Sequence, residues 1–389
     1  MTRRRLALRT AIALLVALSA GLTLSAQTPP VLKYGPASSV GMDQAVLDQA
    51  VDLFRQAVAR DEIRGAVLMV ARRGTIVMHE ALGWRHVAYR LPMEKDTLFR
   101  MASNTKPLVA SAVLLLEQDG KLSVSDRAGA HVSSLDNYRW REVTIAHLLS
   151  HSSGLRIGPI FLPFDEAKDT SAPPTLQHAV AKFGPLGPEF APGTTYSYNN
   201  AGYNTLGAII ERASGMPLED FLRTRIYQLL GMTDTLNHED ASKLARMATV
   251  YSGRKGDDGI VAWTQRFTPG DAPDFPVIRA SGGMISTALD YGKFLQMYLN
   301  GGEYGGTRIL TASSIAKATT SHIDAGKDGG YGFGWMISRD GVYAHSGSDG
   351  TYAWVDPKRD LFGLVFTQSP GGTNPRAKFK EVVTGAVRN

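Results

Sequence analysis

No cysteine occurs among the 389 residues, so the chain has no disulfide, no thiolate nucleophile, no cysteine zinc site and no lipid-modified N-terminal cysteine. It also lacks a GxSxG segment, the sharp turn that presents the serine of an α/β-hydrolase. A strong excess of one charge is missing too. Of 42 basic residues, four lie in the first 26, which leaves 38 against 36 acids and a net charge of about +2 in place of the formal +6. The basic balance therefore says little about partners, and no basic stripe suggests nucleic acid. With 43% hydrophobic and 20% charged residues, the composition is that of a folded chain, enough for one large domain or two small ones.

The opening stretch is a separate object. "MTRRRLALRT" carries four arginines and no acid, "AIALLVALSAGLTL" is apolar, and "SAQ" offers a small residue at a cleavage point after Ala26. This reads as an export signal. Its apolar core falls short of the roughly 20 residues of a membrane span, and polar, proline-containing sequence follows, so cleavage is expected instead of a stable membrane anchor. Thr2, Arg3 and Arg4 before Arg5 and Leu6 fit a twin-arginine start, although leaders of the general secretory route look similar. The expected organisation is a signal peptide over 1–26, a lead-in over 27–40 and a domain over 41–389, in the periplasm or outside the cell.

Along the mature chain, Val46, Leu47, Ala50, Leu53, Phe54, Ala57 and Val58 recur at helical spacing, which predicts an amphipathic helix. "GAVLMVARRGTIVMHEALGW" reads as two buried strands joined by a hairpin turn at Arg72, Arg73 and Gly74. Helix and loop are expected from there to about Phe275, with Pro/Gly-rich excursions of the kind that often wall a site. Then come a helix closed by Gly301, β-rich runs with "PKRD" as the last turn, and a C-terminal helix around "RAKFKEVVTGAV". Strands at both ends and helices between imply an α+β fold, with one antiparallel sheet (about 41–100 and 276–389) and an inserted all-helical lobe (about 101–275). A cleft between the two is the expected place for chemistry.

Three segments could furnish that chemistry. In "MASNTKPLVA", a helix beginning at or just after Ser103 puts its hydroxyl and the Lys106 amine one turn apart on the same face. The helix behind them is apolar nearly all round, so Lys106 is poorly solvated, its pKa falls, and a neutral amine can take a proton from serine. Pro107 is tolerated only where the helix starts beside it. The plain alternative makes Ser103 an N-cap and Lys106 a solvated first-turn residue. In "TTYSYNNAGY", Tyr198 could transfer a proton and Asn200 could hold a substrate carbonyl; alternatively Tyr198 packs its ring and Asn200 caps the helix. In "AHSGSDG", Gly347 leaves room for a ligand at the strand edge, and His345 can stay neutral or attract a carboxylate when protonated, or be structural. "HLLSH" spaces His147 and His151 as in a zinc pair, but the glutamate of a zincin and an evident third ligand are absent, so no metal and no other cofactor is expected.

In that order, SNTK, YNN and HSG resemble the serine β-lactamase and penicillin-binding protein superfamily, in particular its class C-like branch of β-lactamases, DD-carboxypeptidases, D-aminopeptidases and family VIII carboxylesterases. "DTLFRMAS", "TIAHLLSHSSGL" and "SGGMISTALDYGKFLQMYLNGG" are similar to the same branch, so the likeness runs over about residues 43 to 370. It implies a β-lactamase/transpeptidase-like fold, with a five-stranded antiparallel sheet flanked by helices beside an all-helical lobe. It also implies roles: Ser103 as acylated nucleophile, Lys106 and Tyr198 as proton-transfer partners, Asn200 as orienting amide, and His345 with Gly347 as the strand motif. The backbone N–H groups of Ser103 and Ser348 would form the oxyanion hole. Substrates would be small-molecule esters, amides or β-lactams. Because His345 carries charge only near or below pH 6.5, a carboxylesterase with weak β-lactamase activity is expected, a D-alanyl peptidase, D-aminopeptidase or class C-like β-lactamase is the alternative, and a non-catalytic binding protein is a third reading. Oligomeric state is left open.

Overall fold

A computed structural model describes residues 29–163, 175–327 and 329–388. The expected leader over 1–26 lies outside the described residues, among which no helix is long and apolar enough to cross a membrane.

Helix α1 (Gln44–Ala59) starts at Asp43, whose carboxylate accepts the N–H groups of Ala45 and Val46. The hairpin follows as β2 (Gly65–Arg72) and β3 (Thr75–His86), after a two-residue strand β1 (Lys33–Tyr34). Arg73 and Gly74 both have positive φ, 50° and 75°, the backbone a two-residue hairpin turn requires. Every residue of β2 is buried, and its two faces serve different cores. Ala66, Leu68 and Val70 pack with Leu47 and Phe54 of α1 and Phe379 of the C-terminal helix. Val67, Met69 and Ala71 join the main core on the other side. That division explains an unbroken apolar run in an antiparallel strand: both faces are covered.

The rest of the sheet comes from the far end of the chain, as β6 (Ile323–Asp324), β7 (Gly330–Tyr331), β8 (Met336–Ile337), β9 (Tyr343–Ser346), β10 (Thr351–Asp356) and β11 (Leu361–Thr367). Their order is β1-β3-β2-β11-β10-β9-β8-β7-β6, with Leu91–Pro92 paired to β3. The sheet thus has ten strands where five were expected, and β1 runs parallel to β3. Five longer strands, β3, β2, β11, β10 and β9, form its body. Two-residue ladders extend it, and strands so short leave no periodicity to read.

Between the two sheet segments lie α2 (Lys106–Gln118), α3 (Ile145–Leu149) and α4 (Asn200–Ser214), with α2 and α4 in contact. This region is not all helical: β4 (Val250–Lys255) and β5 (Val261–Phe267) form a hairpin within it. Only Val250, Tyr251, Val261 and Phe267 of that hairpin are buried, too few to produce a clear alternation. Helix α5 (Ala288–Leu299) covers β2 and β11, and α6 (Arg376–Gly385) packs on α1.

Candidate active site

The segment before Ser103 is tied down on both sides. Phe99 and Arg100 pair with Ser286 and Ile285, and the Met101 N–H donates to the Met284 carbonyl at 2.8 Å. Ala102 then takes a left-handed φ of 45°, a conformation that costs a non-glycine residue about 1–2 kcal/mol. Its carbonyl accepts the Thr105 hydroxyl at 2.7 Å. The strained turn leads into a 3₁₀ segment, Ala102–Thr105, and α2 begins only at Lys106. Ser103 therefore precedes the α-helix, and the cap position belongs to Thr105. Because 3₁₀ geometry eclipses side chains at i and i+3, Ser103 and Lys106 still face each other. Pro107 sits in the first turn of α2, where its missing N–H breaks no bond.

Lys106 is fully buried. Its Nζ lies 2.9 Å from Ser103 Oγ, 2.9 Å from Asn200 Oδ1 and 2.7 Å from the Ser281 carbonyl. No carboxylate among the described residues pairs with it. Burial, reinforced by the charge of Arg279, holds its pKa well below the usual lysine range. A neutral amine has two N–H groups and one lone pair. Asn200 Oδ1 and the Ser281 carbonyl can only accept, so they take both N–H groups, and the lone pair is left for the Ser103 hydroxyl.

The Tyr198 hydroxyl reaches the same oxygen at 2.8 Å. Although 41% of the residue is open to the cleft, desolvation of the phenol raises its pKa well above the usual tyrosine value, partly offset by the Ser103 bond. It is a proton donor at neutral pH. The neighbouring asparagines divide their work differently from the capping alternative. Asn199 is the cap, accepting the Gly202 N–H at 2.8 Å and donating to the carbonyls of Leu155 and Ile157. That leaves the Asn200 amide free to meet Lys106.

At the end of β9, His345 is 5% exposed. Its Nδ1 lies 2.9 Å from the Ser346 carbonyl, to which it must donate, so Nε2 accepts from the Tyr331 hydroxyl at 3.1 Å. Burial, to which Lys106 adds whenever it is protonated, pushes its pKa down to about 3. The expectation that His345 becomes cationic near pH 6.5 is thereby corrected: the imidazole is neutral throughout the physiological range. Gly347 also has a different reason from the one expected. A Cβ there would lie 2.3 Å from the Met101 carbonyl and 2.3 Å from Thr351 Oγ1, so the space is filled by the segment carrying Ser103. Thr351 donates to that carbonyl at 3.0 Å and accepts from Asn104 at 2.9 Å. Ser348 follows Gly347, its hydroxyl on Asp349, which pairs with Arg100 and Arg266.

Residues 50–385 match a family profile described as Beta-lactamase. The chain belongs to the beta-lactamase family. Penicillin-binding protein 4 of Amycolatopsis lactamdurans is 30% identical over 85% of this chain and 87% of that protein. Among solved structures, the octameric penicillin-binding protein homologue from Pyrococcus abyssi is 26% identical, covers 90% of this chain and 78% of its own, and has a TM-score of 0.72. EstCE1, a hydrolase with promiscuous acyltransferase activity, shares the fold at 21% identity and a TM-score of 0.73, covering 89% and 99%. The fold expectation of a β-lactamase/transpeptidase-like α+β architecture stands, on a larger sheet.

Set in that family fold, Ser103, Lys106, Tyr198 and Asn200 form one hydrogen-bonded cluster, with the HSG segment held against the turn that precedes Ser103. Three further contributors escape sequence reasoning. Ser281 acts through its backbone carbonyl, which no side chain advertises. Tyr331 reaches His345 from the two-residue strand β7. His151 stands out in the sequence only for its spacing from His147. In the structure the two imidazoles have separate partners, the Thr144 N–H for His147 and the Asn199 N–H for His151.

Proposed function

We propose that the protein is an exported serine hydrolase, with residues 41–389 as its catalytic unit, and that it cleaves uncharged carboxylic esters through an acyl-enzyme on Ser103. The arginine-rich leader supports export. The observation that carries the chemistry is the pair of obligate acceptors at Lys106, Asn200 Oδ1 and the Ser281 carbonyl, which take the two N–H groups of a neutral amine and leave its lone pair for the Ser103 proton. Ser103 Oγ bonds to the ester carbonyl carbon as its proton moves to Lys106. The N–H groups of Ser103 and Ser348 take the oxyanion, and preorganised stabilisation of this kind usually contributes more to the rate than any other single effect. The ammonium so formed faces the Tyr198 and Tyr203 rings, with Nζ 4.7 and 5.4 Å from their centroids, a placement that steadies the transient charge. Collapse breaks the bond to the alkoxide, which leaves with a proton from Lys106 relayed by Tyr198. Water then attacks the acyl-Ser103 ester by the reverse proton path.

The neutral His345 supports the ester preference, because the strand motif then offers no fixed charge to a substrate carboxylate. One observation favours a penicillin-recognising peptidase or lactamase instead. The half-buried Arg279 has no carboxylate within ion-pair distance among the described residues, and its charge acts on Lys106. It also lines a cavity of about 350 Å³ with Phe275, Ile278 and Met284, in a wall that also carries Glu239, Asp271 and Asp274. A panel of p-nitrophenyl butyrate, a chromogenic cephalosporin, a fluorescent penicillin and a D-Ala-D-Ala peptide separates the readings. The ester should turn over fastest, with no peptide turnover and no stable penicilloyl adduct. A fluorophosphonate should label Ser103; undiminished labelling and turnover in Ser103→Ala would sink the acyl-enzyme.

A further inference from the structure

We propose that His151 is the positioning residue of Tyr198, clamping the backbone on both sides of it and backing its ring. The inference rests on Tyr198 being the proton-transfer partner of Ser103. His151 follows α3 and is 1% exposed. Its carbonyl accepts the N–H of Ser197 at 2.7 Å, and its Nδ1 accepts the N–H of Asn199 at 3.1 Å. Tyr198 is the residue between them. The His151 ring centroid lies 4.2 Å from that of Tyr198, the planes 35° apart. Tyr203 and Tyr331 close on the same imidazole at 4.9 and 4.8 Å. One residue thus fixes both the position of Tyr198 and the height of its ring.

Two features show that this clamp is specific to a neutral histidine. Because Nδ1 accepts a hydrogen bond, the ring proton is on Nε2, which is buried and has no oxygen or nitrogen partner among the described residues. A protonated ring would replace the acceptor facing Asn199 by a donor and set a cation beside Lys106; burial keeps the ring neutral. His151 also holds a left-handed φ of 56°. A β-carbon-bearing residue keeps such a backbone where the surrounding bonds over-determine it. Glycine would relieve that strain but could hold neither Asn199 nor Tyr198.

The test compares His151→Phe, which keeps a ring and loses the acceptor, with His151→Asn, whose amide oxygen can replace Nδ1. Each is made in the native background and in Tyr198→Phe. A misplacement near 1 Å costs about 100-fold, so His151→Phe should lower kcat for p-nitrophenyl butyrate by about 30- to 100-fold with KM within about twofold. His151→Asn should recover at least about a tenth of native kcat. In Tyr198→Phe, each substitution at 151 should change kcat by less than about threefold, since no hydroxyl remains to position. If His151→Phe does not fold, the His151→Asn pair carries the comparison, with about a tenfold loss expected in the native background. Equal losses in the two backgrounds, or no loss in either, overturn the proposal. Native turnover in Tyr198→Phe alone would instead overturn the role of Tyr198.

Discussion

Replacing Asn200 by aspartate would place a carboxylate where an amide oxygen now sits 2.9 Å from the Lys106 amine. Two unit charges at that separation attract by about 6 kcal/mol at an effective dielectric of about 20. At about 1.36 kcal/mol per pKa unit, this would raise the Lys106 pKa by at most about 4 units. Desolvation of the buried carboxylate opposes it, so a rise of about 2 units is expected. Since the reactive form of Lys106 is the neutral amine, raising its pKa moves the ascending limb of the kcat/KM profile to higher pH. On the acid side of the native limb the loss should approach about 100-fold, recovered progressively as the pH rises past the shifted limb. The assay is hydrolysis of p-nitrophenyl butyrate between pH 5 and 10, with circular dichroism confirming an intact fold at each pH. Asn200→Ala separates charge from geometry: it removes the acceptor without adding an anion, and its limb should stay within about one unit of the native one. An aspartate variant whose limb coincides with the native limb would refute the neutral-amine argument, whatever its absolute rate.

Gly347→Ala should cost activity more than stability. Its Cβ meets the Met101 carbonyl and Thr351 Oγ1 at 2.3 Å, and moving that backbone displaces the turn carrying Ser103. Overpacking of this kind destabilises by about 1–3 kcal/mol in urea unfolding, and kcat should fall at least tenfold; native kcat would show that the turn absorbs the methyl. Acid should weaken the fold through His345. Its folded pKa of about 3 lies below the ordinary 6.5, so the unfolded chain binds the extra proton; this contribution is full above pH 6.5 and falls as the pH drops toward 3. At about 1.4 kcal/mol per unit, roughly 3 kcal/mol goes between pH 6.5 and 4. His345→Gln should lose that much less over the same interval in urea unfolding, and identical losses would contradict the assignment.

What could be read in advance follows from which signals are local. The pairing of Ser103 with Lys106 was legible because a spacing of three survives the change from α to 3₁₀ geometry. The choice between Asn199 and Asn200 was not. They are identical side chains, and only the extended backbone of Asn199, with φ −140°, makes it the cap. The charge state of His345 was equally hidden, since it depends on burial and on Tyr331, supplied by a two-residue strand. The unbroken apolar run of β2 announced burial on two faces, whereas the mostly exposed hairpin of β4 and β5 announced nothing.

Three oxygens surround the Lys106 amine. Ser103 is its near neighbour, but Asn200 and Ser281 lie 94 and 175 positions further along the chain. Loop closure makes contacts of such separation costly to form early in folding. Until residue 281 is in place, Lys106 lacks one of the two oxygens that occupy its hydrogens, and its lone pair is not committed to Ser103. Turnover is therefore a report on finished folding: during refolding it should return with the last tertiary contacts and not with the first helices. A chain stopped before the SGGM segment would be inert, which would keep the proposed nucleophile, Ser103, silent until the whole structure has closed around it.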